Sequence, residues 1–257
     1  MIKLGFIGYG NIAQAMVKGL LLRRNDLTIT ACAAHYDKLV ERCKQSVVEP
    51  RQTLEEVVAA SDIVIIAIKP YQIAETLKDK AHLFANKIII SFAAGWLNKD
   101  YEELLPGTHH LSAIPNTPIA TGFGVTTYEK EHSLTVQELA LAKELLCSVG
   151  TIEEVDSEHL GIANVLSGCG PAYAFMFVEA LGDAGVKHGL TRSQSYRLAA
   201  AMLKGAGELL LTEGLHPGEA KDQVCSPGGL TIKGVCSLLE SGFGGAVVKA
   251  IDEVIGK

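Results

Sequence analysis

The chain has 257 residues, room for one large domain or two linked ones. Its formal net charge of −6 and the lack of any basic tract argue against a general affinity for nucleic acid. The six cysteines contain no Cys-x-x-Cys pair, which fits reduced thiols and disfavours a metal site.

Although 48% of the residues are apolar, no uninterrupted apolar run approaches the roughly 18 that span a bilayer. Met1 to Gly8 enters a strand-like segment directly, without the charged region, apolar core and small-residue cleavage site of a signal peptide. A soluble, cytoplasmic protein with no membrane partner is therefore expected. The histidine pair His109-His110 lies in a strand-like segment, where adjacent side chains point to opposite faces, so the two are poorly placed to share one ion.

Short segments rich in Ile and Val alternate with helix-like stretches through the first part of the chain, the pattern of parallel strands joined by crossover helices. Strands are predicted near Lys3–Ile7, Thr28–Cys32, Ile63–Ile68, Lys87–Ser91, His110–Ile114, Gly124–Thr127 and Thr151–Val155. Ile63 to Ile68 and Ile88 to Ile90 show no polar alternation, so both faces should be buried, as in a doubly wound sheet. Beyond about Glu153 the strand-like runs give way to Ala/Leu/Gly segments of helical spacing. The spacing predicts one helix over Ser193–Leu211, with Thr191 as its N-cap and Gly214 as its stop. The expected domains are thus residues 1–155, an α/β sheet, and residues 156–257, all helical. A core this thin predicts packing against a second copy.

Two segments carry chemistry. Gly8-Tyr9-Gly10-Asn11-Ile12-Ala13 follows the first strand and opens a helix, the dinucleotide fingerprint in its required context. Gly8 permits the tight turn, Gly10 lets the backbone approach a pyrophosphate, and Ala13 is small enough for the helix to lie on the strand. The bland alternative is a glycine-rich turn with no ligand. The second strand ends in Cys32-Ala33-Ala34-His35 with no carboxylate before Asp37, which is read as a cap of the next helix; that favours NADP(H) over NAD(H), with His35 either facing the phosphate or simply exposed. Further strand ends should line the same crevice: Ala67-Ile68-Lys69-Pro70, Ala93-Ala94-Gly95 and Pro115-Asn116-Thr117-Pro118. Lys69 either approaches the cofactor or is an ordinary exposed lysine. Asn116 either bonds the nicotinamide side or closes an Asx-turn.

The other segment is Ser226-Pro227-Gly228-Gly229-Leu230-Thr231. Proline and two glycines force an irregular turn ahead of a helix, which gathers backbone N–H groups and two hydroxyls at one point suited to a carboxylate. The alternative is that Ser226 or Thr231 is only an N-cap. Ser167-Gly168-Cys169-Gly170-Pro171-Ala172-Tyr173 interrupts or begins a long helix, and a close helix crossing explains it as well as a substrate wall does.

These segments, together with Gly5-Phe6-Ile7 ahead of the glycine turn and Ile232 after the loop, resemble the pyrroline-5-carboxylate reductase family from one end of the chain to the other. The resemblance implies a Rossmann domain followed by a helical dimerisation domain. It further implies a homodimer or a ring of dimers, and NADPH, or less often NADH, as cofactor. The activity implied is reduction of 1-pyrroline-5-carboxylate to L-proline, the last step of proline biosynthesis. It places the substrate carboxylate on Ser226, Gly228, Gly229, Leu230 and Thr231, with the Thr231 hydroxyl near the imine nitrogen. Against the family pattern, Cys169 stands where serine is usual, Leu230 where Thr or Ala is frequent, and Gly244 where Arg is frequent. The acidic residue expected ahead of Asn164 is displaced, at Asp156-Ser157-Glu158. A 3-hydroxyacid dehydrogenase of similar build needs a helical Lys with an Asn one turn later, and no Asn follows Asn164. A non-catalytic NADP-binding sensor would not need the carboxylate loop.

Overall fold

The computed structural model describes residues 1–44 and 46–256. Packing divides the chain into two compact units, Met1–Pro171 and Ala172–Lys257. Residues 156–171, expected at the head of the helical domain, pack within the first unit.

The first unit is built on one eight-stranded sheet of order β3-β2-β1-β4-β5-β6-β7-β8. Its strands are β1 (Ile2–Ile7), β2 (Leu27–Cys32), β3 (Val48–Pro50), β4 (Ile63–Ile66), β5 (Ile88–Ser91), β6 (His109–Pro115), β7 (Gly124–Glu129) and β8 (Gly150–Val155). The first six run parallel in the doubly wound order that places a crevice beside β1. β7 is antiparallel to β6, and β8 runs parallel to β7. Sequence reading misses β3, whose three residues end in a proline that cannot donate to a ladder. It also runs the β4 segment to Ile68, whereas the strand ends at Ile66.

Both faces of the central strands are buried, and the two-residue period divides them between two cores. Leu4, Phe6, Ile63, Ile65, Ile88 and Ile90 enter the cluster on one face. Ile7, Val64, Ile66 and Ile89 enter the other. Helices α1 (Asn11–Leu21), α2 (Tyr36–Cys43), α3 (Leu54–Ala59), α4 (Pro70–Leu77), α5 (Asn98–Leu104) and α6 (Val136–Cys147) cover them. Ala13, Met16, Val17 and Leu20 of α1 join the first cluster, and Ile73 and Leu77 of α4 the second. Each of these side chains larger than alanine contributes about 1.5–3 kcal/mol on full burial. Close approach requires glycine at several positions of this unit, as at Gly19, where a Cβ would lie 2.0 Å from the Ile119 carbonyl oxygen, and at Gly5, where it would lie 2.3 Å from Ser61 Oγ.

After α7 (Leu160–Asn164) the chain makes a π-helical turn at Val165–Cys169, then continues as α8 (Gly170–Lys187), α9 (Arg192–Glu213), α10 (Pro217–Gln223), α11 (Leu230–Glu240) and α12 (Phe243–Ile255). The N-cap and stop predicted for α9 hold, though the helix runs slightly beyond Ser193–Leu211: Thr191 Oγ1 accepts from the Gln194 N–H, the Gln194 side chain accepts from Thr191 in return, and Gly214 ends the helix at φ +62°. Among the described residues, Leu160–Lys187 is long and apolar enough to cross a membrane by length and composition, with mean hydropathy 1.3, and α11 with α12, bent by 47°, passes the same test as a pair. Interrupting charges and glycines had kept any single apolar run short in the sequence.

His109 and His110 do face opposite ways. His109 Nδ1 lies 2.7 Å from Glu138 Oε1, whereas His110 is fully buried, with Nε2 3.2 Å from the Asn98 carbonyl oxygen and Nδ1 3.0 Å from Ser133 Oγ. Burial pushes the His110 imidazole below its ordinary range, against a smaller opposing pull from Glu102. The folded state therefore holds fewer protons than the unfolded one as pH falls through and below 6.5, the ordinary value, and stability present above that pH is lost. His110→Gln should cost roughly 1–3 kcal/mol at pH 7, and the gap to the parent should narrow by pH 5. Denaturant melts of both proteins across that range measure it; a gap that stays constant refutes the buried neutral imidazole.

Candidate dinucleotide site

The carboxyl ends of β1, β2, β4 and β5 are stitched together where the strands give out. Gly8 N–H donates to the Cys32 carbonyl at 2.9 Å, Ala67 N–H to Ile7 at 2.8 Å, and Phe92 N–H to Ile66 at 2.9 Å. Beyond them lies a cavity of about 820 Å³. Gly8, Tyr9, Gly10, Asn11 and Ile12 line it from the first turn, Cys32, Ala33 and Ala34 from the second strand end, Ala67 to Pro70 from the fourth, Phe92 and Ala94 from the fifth, and Thr117 after β6. This is the switch point of the sheet, where β1 has β2 on one side and β4 on the other.

The glycines of the turn do different jobs. Gly8 sits at φ +94°, and a Cβ there would lie 2.6 Å from the Ala67 carbonyl oxygen, so the turn cannot accept a side chain. Gly10 has an ordinary φ of −84° and would meet no protein atom within 4 Å, so any demand for glycine at this position comes from something occupying the cavity. Gly10 also caps α1 without a side-chain hydrogen bond, so no side chain takes up the first-turn N–H groups. Ala13 does not line the cavity; it is fully buried beneath the turn, where its small side chain lets α1 lie close.

Most of the residues expected at a cofactor meet here; besides Ala13, His35 and Asn116 do not. His35 is exposed, caps α2 and is absent from the cavity lining, while Asp37 stands in the first turn of α2 rather than at its cap. Asn116 is buried away from the cavity: its Oδ1 accepts from Val125 N–H at 2.9 Å, and its Nδ2 donates to the Ser167 carbonyl at 2.9 Å. Both ends of its amide are thus committed to tying β7 to the π-helical turn, and Thr117, its neighbour, faces the cavity instead. Lys69 is both things the sequence left open, an exposed residue and part of the lining. Sequence reading missed Arg42, Gln52, Gln72 and Thr76, which reach the cavity from α2, the segment after β3, and α4. Among the described residues no carboxylate lines it, while Arg42 and Lys69 bring two cations. A dianionic or more highly charged dinucleotide fits this donor set. Cys32 is buried at its edge, and burial pushes the thiol up to about 11, so it stays protonated at neutral pH.

In the second unit, the predicted carboxylate loop turns at Gly228, φ +71°, with Gly229 N–H donating to the Ser226 carbonyl at 3.0 Å. Gly229 is the N-cap of α11 and makes no side-chain cap bond, so neither Ser226 nor Thr231 is the cap that the bland reading required. A Cβ on Gly229 would lie 2.5 Å from Ser226 Oγ, so glycine here makes room for that hydroxyl over the turn. Thr231 is exposed in the first turn of α11, and Leu230 beside it is 85% exposed.

A glycine turn at the switch point of a doubly wound sheet, with a cationic cavity beyond it, defines an oxidoreductase of the nicotinamide-dinucleotide class. Residues 3–95 match the family model "NADP oxidoreductase coenzyme F420-dependent", and residues 157–257 match that for pyrroline-5-carboxylate reductase dimerisation. The chain is 40% identical to pyrroline-5-carboxylate reductase of Treponema pallidum (strain Nichols) over 96% of both chains, and 34% identical to that of Pisum sativum over 96% of this chain and 92% of the relative. It superimposes on the crystal structure of Plasmodium falciparum pyrroline carboxylate reductase with NADP bound with a TM-score of 0.87, at 29% identity, covering 98% of this chain and 95% of the other. The chain belongs to the pyrroline-5-carboxylate reductase family.

The two glycines of the turn predict separable effects. Gly8→Ala should lower stability by about 1–3 kcal/mol or more through backbone strain. Gly10→Ala should cost only about 1 kcal/mol or less, the loss of a glycine N-cap. Its NADPH affinity should nevertheless fall at least about tenfold, or 1.4 kcal/mol. Thermal melts and titration of NADPH fluorescence read both effects; unchanged NADPH binding by Gly10→Ala would remove the pyrophosphate from this turn.

Proposed function

We propose that this chain reduces 1-pyrroline-5-carboxylate to L-proline, with NADPH or less readily NADH, by delivering hydride to the imine carbon. The observation that carries this reading is the start of α11, a helix that opens on glycine with no side-chain cap and with two hydroxyls beside it. Bound nicotinamide supplies the hydride. Gly8, Tyr9, Gly10, Asn11 and Ile12 hold the pyrophosphate by their backbone, with Ala13 as support from beneath. Ala34, Ala67, Ile68, Lys69, Pro70 and Ala94 form the walls of the cofactor cleft.

Ser226, Gly228, Gly229 and Leu230 fix the substrate carboxylate through backbone N–H groups and the Ser226 hydroxyl. Fixing the acid group orients the ring, and orientation is what a reaction without a protein nucleophile most needs. Thr231 donates from its hydroxyl to the ring nitrogen as the carbon accepts hydride. No strong acid stands in the loop, so the proton gained by nitrogen arrives with an imine already protonated in solution. The bonds then balance: one C–H bond forms, the C=N double bond becomes single, and nitrogen keeps its proton as the amine of proline.

In this reading residues 1–155 are the cofactor domain and residues 156–257 the substrate and dimerisation domain, acting as a homodimer that assembles further into a ring of dimers in the cytoplasm, without membrane or nucleic acid. The apolar side chains that α8 and α9 leave exposed, among them Phe175, Met176, Leu198 and Leu211, support self-association.

Chromatographic detection of proline from synthetic imine and NADPH tests the reaction. Thr231→Val tests the role of its hydroxyl. Removing a transition-state donor should lower kcat by about 10²–10³. Because Thr231 makes no cap, the melting temperature should stay put. A variant that turns over normally removes Thr231 from the mechanism.

A further inference from the structure

We propose that Arg42 is the residue that distinguishes NADPH from NADH, by pairing with the phosphate on the adenosine ribose. This rests on the dinucleotide reading of the cleft and adds to it a specificity-determining side chain. In the doubly wound fold, the end of β2 is where the adenosine ribose is read, by an acidic side chain for a free 2′-hydroxyl or by an arginine for a 2′-phosphate. Here β2 ends in Cys32, and Ala33 and Ala34 follow it in the cleft lining without offering a hydrogen-bonding side chain.

Arg42 fills that gap from the last turn of α2, lining the same cleft. Its Nη1 donates to the Tyr9 carbonyl at 2.9 Å, which ties the guanidinium to the glycine turn. Among the described residues no carboxylate pairs with it, and none lines the cleft. A guanidinium held at one nitrogen still presents Nη2 and Nε, the fork that suits a phosphate. Lys69 is the other cation of the cleft, but it stands at the end of β4, on the far side of β1 from β2. Its position suits a different part of the ligand.

The test uses binding alone, with no imine present, so its failure is separable from failure of the reductase assignment. Dissociation constants of NADPH and NADH are measured by fluorescence, and those of adenosine 2′,5′-bisphosphate and AMP by calorimetry. The parent protein should prefer each 2′-phosphorylated ligand at least about tenfold, and the preference should shrink as salt is raised. Arg42→Gln should weaken NADPH about 10- to 100-fold while leaving NADH within about twofold. Arg42→Lys should restore part of the difference. Equal loss for both dinucleotides would make Arg42 only a brace of the Tyr9 carbonyl and overturn the proposal, as would no loss for either. A parent protein without preference overturns it with no variant needed. Binding of neither dinucleotide would overturn both this proposal and the cofactor reading.

Discussion

The left-handed turn at Gly8 is the constraint on which the site depends. β1 lies in the middle of the sheet, with β2 on one side and β4 on the other, so its end is the one place where connections leave in opposite directions and open a crevice. The chain must turn there within one residue to start α1. It does so at φ +94°, with the Ala67 carbonyl packed where a side chain would be. That contact ties the end of β4 to the end of β1, and the Gly8 N–H bond to Cys32 ties in β2. One residue without a side chain thus sets the spacing of three strand ends.

Rigidity of this corner comes from the two cores. Alternate residues of β4 and β5 enter opposite clusters, so neither strand can slip by one residue without exchanging its buried sets. Helix α1 is pressed on the same sheet by Ala13 and Met16, and a substituent at Gly19 would strike the Ile119 carbonyl. A phosphate-binding helix start is useful only if it does not move, and this packing holds it together with the Arg42 bond to the Tyr9 carbonyl.

Signals that are local and repeated were legible in the sequence. The central strands announce themselves by unbroken Ile and Val runs, α9 by a capping box at one end and glycine at the other, and the cofactor turn by glycines between strand and helix. What escaped was set by tertiary placement. β3 is three residues long and exists because β2 offers it an edge. Arg42 reaches the cleft from the far end of a helix that no strand-end rule inspects. Asn116 sits between two prolines, which suggests a turn, but its use is fixed by Val125 and by Ser167, a partner 51 residues further along the chain. Neighbouring residues in sequence carry no record of either choice.

The helices from Leu160 onward raise a different physical problem. The 28-residue helical stretch Leu160–Lys187 is apolar enough for a bilayer, yet only 6% of its most apolar window is buried within one chain. α12 has no buried residue, although Val247, Val248 and Val254 stand on it. Apolar surface left in water forgoes about 25 cal/mol per Å² of burial. A patch beyond a few hundred Å² is what interfaces rather than monomers show. The match of residues 157–257 to a dimerisation region supplies the covering surface in kind, a second copy with the same apolar helices. Such helices then serve a requirement that a charged or smaller-faced sequence would fail: they are exposed in one chain because they form the shared core of two.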